Sequence, residues 1–224
     1  MYATTYRSAS AINEAMGRVY GYMGLAVIIS MVVSMFIGTN PELVKFFFTG
    51  VMHWVVIFAP LVAVFLIMPF MNSDPPKELA LLVLSGFAGL MGLSFAVIFA
   101  VYTAMSIFGA FMGAGVLFAV MSFYGYFTKR SLEGLGSFLF VGLIAIVIAS
   151  IINIFIGSTV MQMVISAIAI LIFLGLTAYD TQQIREMVSY DSTPAVEVMG
   201  ALTLYLDFIN LFLNLLQLFG DKKE

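Results

Sequence analysis

Residues 201–220 read ALTLYLDFINLFLNLLQLFG, and the rest of the chain is organised around them. The stretch is apolar enough to enter a bilayer, yet Asp207 stands near its middle. Thr203, Asp207, Asn210, Asn214 and Gln217 follow at spacings of four, three, four and three. At about 100° per residue these five side chains fall on one face of a single helix. Lipid offers a mid-span carboxylate neither hydrogen bonds nor counter-charge, so this helix is expected to be wrapped by others. Thr203, Asn210, Asn214 and Gln217 would then line a polar or hydrated interior.

Composition sets the class. The chain has 224 residues, of which 62% are hydrophobic and 9% charged, with a mean hydropathy of +1.11. A soluble domain carries about a quarter charged residues, so this is an integral membrane protein with little soluble mass. A net charge of −3 without a basic patch gives no reason to expect a nucleic-acid partner. The absence of cysteine excludes disulfides, thiolate metal sites and cysteine nucleophiles, and a single histidine excludes a multi-histidine metal site within one chain. No cofactor is expected. Residues 1–17 are too polar, and the following apolar run too long, for a cleaved signal, and residues 221–224 match no retrieval address.

Spans follow from length. Residues 19–38 and 51–71 are the first two, the second carrying Pro60 and Pro69, which free backbone groups that neighbours must satisfy. No charge occurs between Leu79 and Thr128, a distance of ~75 Å as helix, against the ~30 Å of hydrocarbon that one span crosses. That run therefore divides near Tyr102 into 79–100 and 104–127. The next divides near Gly157 into 134–156 and 160–180, and 198–219 is the seventh. The sequence thus predicts one all-α membrane domain of seven spans, with residues 1–17 as a polar tail. Arg7, Arg18, Lys77, Lys129, Arg130 and Arg185 gather on one side, which places the N-terminus in the cytoplasm. Lys222 and Lys223 pull the other end of the chain inward and argue for a tilted or re-entrant last helix. Gly86, Gly89, Gly92, Gly109, Gly113 and Gly115 read as helix-packing positions, with Gly109-x-x-x-Gly113 the clearest. There is no internal repeat of the inverted-transporter kind.

Asp180 ends the sixth span, and Asp207 lies about ten residues into the seventh, at a similar depth if the turn centres near residue 192. A mid-bilayer aspartate costs about 2.5–3.5 kcal/mol on insertion scales, and no Lys or Arg lies deep in any span. Protonation, a proton shared by the two acids, or a bound cation remain as ways to neutralise them, and the pair would titrate as one unit. Asp180 and Asp207 are therefore the candidate proton-sensing and cation-binding residues. The plainer alternative is a hydrogen bond from Tyr205, Asn210 or Thr177 that fixes the bundle. His53 with Trp54 reads as an interfacial pair. Glu14, Glu42 and Glu133 read as solvated charges.

The motifs Thr177-Ala178-Tyr179-Asp180-Thr181-Gln182 and Gly200-Ala201-Leu202-Thr203-Leu204-Tyr205-Leu206-Asp207-Phe208-Ile209-Asn210-Leu211-Phe212 resemble the signature of the transmembrane Bax inhibitor motif family. Tyr124-Gly125-Tyr126-Phe127-Thr128-Lys129-Arg130 and Val101-Tyr102-Thr103 resemble its bacterial members. The resemblance covers essentially the whole chain. It implies a seven-helix bundle with the last helix central and six around it, in a bacterial inner membrane. It also implies a pH-sensitive calcium leak with Asp180 and Asp207 as a proton-responsive latch. Two departures stand out. Ser131 occupies a place where members often have an acid, and Pro69-Phe70-Met71-Asn72 lacks the base that some members direct at the aspartates. Arg185 and Arg18 are the bases left to gate the pair.

Two other classes compete. An intramembrane aspartyl protease also pairs two aspartates on adjacent helices, and Tyr179-Asp180 fits one of its motifs. The second motif requires Gly-x-Gly-Asp, whereas Leu204-Tyr205-Leu206-Asp207 is bulky throughout. A membrane scaffold that controls a protease or a cell-death partner is the third class, and residues 1–17 are the segment able to dock such a partner. The oligomeric state is not encoded in any feature of the sequence.

Overall fold

The computed structural model describes residues 7–223 and is all-helical, with no strand among the described residues. Its helices are α1 (Ala9–Gly38), α2 (Pro41–Phe48), α3 (Gly50–Met71), α4 (Lys77–Val101), α5 (Ala104–Phe127), α6 (Glu133–Ile156), α7 (Thr159–Tyr190) and α8 (Pro194–Phe219). All but the short α2 are long and apolar enough to cross a membrane. Asn40 starts α2 by accepting from the amides of Glu42 and Leu43, with Pro41 in the first turn where no amide proton is missed.

Two stretches differ from the sequence expectation. The first six residues of the polar tail lie outside the described residues, but from Ala9 onward the tail is helix. Ser8 caps it, and Ile12, Ala15, Met16 and Val19 bury a stripe that average polarity conceals. The sixth span was expected to end at Asp180, whereas α7 continues to Tyr190 with Ile184 and Val188 buried. No glycine or proline interrupts that extension. Hydropathy marks where a helix leaves lipid and not where it ends.

The contacts sort the chain into two units. The first holds α1 to α4, the end of α7 and the first half of α8, residues 186–205. Within it α1 packs on α4 so closely that a Cβ on Gly92 would stand 2.6 Å from the Ser30 carbonyl oxygen. Pro60 leaves the Val56 carbonyl without its helical donor, and Ser94 Oγ of α4 supplies the bond at 2.6 Å. The second unit holds α5, α6, most of α7 and the second half of α8. The intimate approaches there are Gly125 against the Ala178 backbone and Gly136 against the Tyr179 ring. Gly109 and Gly113 do not bring two backbones together. They line a cavity of 260 Å³ beside Leu215 and Phe219.

Helix α8 is the most buried of the seven, with 67% of its apolar window buried against 39% or less elsewhere. Residue 223 is held within the first unit. Lys223 donates its amide to the Val101 carbonyl and its ammonium to that of Phe99, at 2.8 and 2.6 Å. A cation thus caps the C-terminus of α4, where the helix dipole favours one.

Candidate functional site

Asp180 of α7 and Asp207 of α8 both belong to the second unit. The two helices are joined by residues 191–193, and their carboxyl groups come close enough for one to donate a hydrogen bond to the other. Asp207 is 4% exposed and Asp180 half-buried. A carboxylate only accepts hydrogen bonds, so a direct bond between the two carboxyl groups requires one of them to carry a hydrogen. The second oxygen of Asp207, Oδ2, is buried without a partner among the described residues. Leaving such an atom unmade costs about 1–3 kcal/mol, which marks a place not optimised for stability.

The surroundings fix the pair. Thr177, Ala178 and Thr181 are buried along α7, and Gly125 of α5 admits Ala178 where any side chain would collide. Ser122 and Thr181 exchange a hydroxyl hydrogen bond at 3.0 Å. On α8, Phe208 packs edge-on against Phe111 and Phe118, with ring centres 5.3 and 5.9 Å away.

The three alternative partners for Asp207 spend their hydrogen bonds elsewhere. Thr177 Oγ1 donates to the Phe173 carbonyl, Asn210 Nδ2 to that of Leu206, and the Tyr205 hydroxyl meets Ser30 Oγ at 2.6 Å. Along the seam, Thr203 donates to Met199 and Asn214 to Asn210, each four residues back on the same helix, and Gln217 accepts from the buried Ser166. These polar groups are internally satisfied, which lets the helix sit in an apolar setting.

Neither base is found in an ion pair with an aspartate among the described residues. Arg185 lies over the Tyr126 ring, 4.9 Å from its centre, with Nε buried and unpartnered. Arg18 grips Glu197 through Nε and Nη2 at 2.7 and 2.6 Å, and reaches Glu14 at 3.0 Å. Glu197 is 3% exposed and also accepts from Ser192. Sequence reasoning passed over it as part of a connecting segment. The available signal was Thr193-Pro194, a helix start that places Glu197 inside the first turns of α8. No cluster of three or more metal-binding side chains occurs among the described residues. Calcium at the aspartates would require loss of the shared proton and further oxygen ligands.

Comparison with known proteins adds a family. Residues 12–224 match the model of the family described as Inhibitor of apoptosis-promoting Bax1. The chain is 35% identical over 220 residues to the inner membrane protein YbhL of Escherichia coli strain K12, covering 96% of this chain and 94% of that one. It is 37% identical over 219 residues to an uncharacterized protein of Rickettsia prowazekii, covering 95% and 92%. An uncharacterized membrane protein of Streptococcus pyogenes serotype M3 is 35% identical over 222 residues, covering 96% and 95%.

Proposed function

We propose, from the premise that this chain belongs to the Bax inhibitor family, that it is a pH-gated cation leak with calcium as the permeant ion. Its seven apolar helices make it a multi-pass membrane protein, and the Escherichia coli relative is named for the inner membrane, the location we infer here. The observation that carries the reading is the close approach of the Asp180 and Asp207 carboxyl groups, with Asp207 Oδ2 buried and without a partner among the described residues. With one proton present, the bond ties α7 to α8 and the path is shut. With the proton gone, two neighbouring carboxylates repel each other, and no base among the described residues is in an ion pair with either. The helices then separate at that level, and the exposed carboxylates attract a cation into the gap. Asn210, Asn214 and Gln217 would exchange their internal bonds for water along that path.

The test is calcium flux into liposomes from pH 5 to 8 for the wild type, Asp180→Asn and Asp207→Asn. Wild-type flux is expected to rise with pH, and both variants to lose most of that dependence, because an amide donates to its partner without needing a proton. Flux that keeps its pH profile in both variants overturns the mechanism. A dyad sharing a proton is also what an aspartyl protease uses. Leu204 and Tyr205 beside Asp207 are fully buried, however, and leave no edge for a substrate strand. Cleavage of a helical reporter peptide that disappears in Asp207→Asn would favour the protease instead.

A further inference from the structure

The second unit carries a basic cluster that the aspartate mechanism does not use. The loop between α5 and α6 presents Lys129 and Arg130, both exposed, and neither makes an ion pair among the described residues. Gln182 of α7 holds this loop from both sides, donating to the Arg130 carbonyl at 2.9 Å and accepting from the Leu132 amide at 2.8 Å. Arg185 lies three residues further along α7, on the same helix face as Gln182. Its guanidinium is stacked on Tyr126 at the end of α5, with Nε buried and unpartnered. Three cations are thus gathered at one end of the unit, and one is held in place by an aromatic ring. Two acids stand near these bases in sequence: Glu186 follows Arg185 on α7, and Glu133 sits exposed in the first turn of α6, whose N-cap residue Leu132 makes no side-chain cap.

Phe123, Tyr124 and Phe127 are exposed on α5 immediately before the loop, forming an aromatic surface at the same end. Aromatic side chains next to bases mark the level where hydrocarbon gives way to headgroups. A free anion would use the charges alone, whereas a lipid uses the charges and the apolar surface together.

We propose that Arg185, Lys129 and Arg130, with Tyr126 as a platform, form a binding site for the phosphate headgroup of an anionic phospholipid whose acyl chains lie along Phe123 and Phe127. The guanidinium fork suits phosphate oxygens, and stacking on Tyr126 prepays the ordering of a long side chain. Lys129 and Arg130 add charge from the pinned loop.

The test is native mass spectrometry of the full chain released from detergent with phosphatidylglycerol or phosphatidylcholine added. The wild type is expected to retain one phosphatidylglycerol in preference to phosphatidylcholine. Each base removed should weaken that retention about fivefold. Arg185→Gln tests the base stacked on Tyr126. Lys129→Gln with Arg130→Gln tests the exposed loop, where folding is not at stake, and Lys222→Gln with Lys223→Gln serves as control with unchanged retention. Equal retention of the two lipids, or unchanged phosphatidylglycerol retention in the loop variant, overturns the site. Saturation by millimolar inorganic phosphate without any preference for the lipid also overturns it, in favour of a free-anion site.

Discussion

Helix α8 buries two carboxyl groups ten residues apart, about 15 Å along its axis, and they are neutralised in opposite ways. Glu197, in the first unit, meets a guanidinium in a two-point grip and a serine hydroxyl. Asp207, in the second, meets only another acid and keeps one oxygen unsatisfied. A base of this kind stays charged over any ordinary pH, so the first arrangement is a permanent tie. A shared proton exchanges with solvent, so the second is conditional. In the proposed mechanism the helix therefore carries a fixed end and a switchable middle. Only the second arrangement makes sense as a sensor.

The largest effect should come from removing the permanent tie. Arg18→Met leaves Glu197 buried and unpaired, which costs about 3–5 kcal/mol for a fully enclosed pair. A third of the Arg18 side chain is exposed, so about 2–3 kcal/mol is expected here. Thermal unfolding in detergent measures it, and Arg18→Met with Glu197→Leu should recover most of the loss because no charge is left stranded. A single-variant loss below about 0.5 kcal/mol would mean that the two acids do not differ as described.

Removing the hydroxyl is the finer version. Ser192→Ala takes one donor from Glu197 while Arg18 remains, and about 1 kcal/mol should be lost, measured in the same way. A loss as large as that of Arg18→Met would make the serine, and not the ion pair, the main tie.

The two acids also differ in how legible they are. Asp207 is conspicuous because it stands in a long, mostly apolar stretch and no base lies at its depth, so a partner acid could be sought by counting back along the preceding helix. Glu197 is hidden because its partner is 179 residues away and both look like ordinary helix-end charges. The seven spans are written in long uncharged runs, which lipid imposes on any sequence. Contacts between helices are not written that way. Gly92, Gly125 and Gly136 meet a neighbouring chain segment where a Cβ would collide, while Gly86, Gly89 and Gly109 face open space, and all six look alike in sequence.

The smallest effect on stability should belong to the switch itself. Asp207→Asn keeps the shape, and its amide can donate to Asp180 without a proton. The carboxylate of Asp180 is then held by a charge-assisted bond, and the half-exposed side of Asp180 remains open to water. These gains offset the loss of the shared proton, so the variant should unfold within about 1 kcal/mol of the wild type at pH 7. If it is instead as damaged as Arg18→Met, the aspartate pair is a structural tie like Glu197, and the burial of Asp207 serves the fold alone. If stability is kept, the pair can be altered without cost to the bundle. A group that can change charge state while the helices around it remain folded meets the physical requirement for a gate, one that the Arg18–Glu197 pair fails.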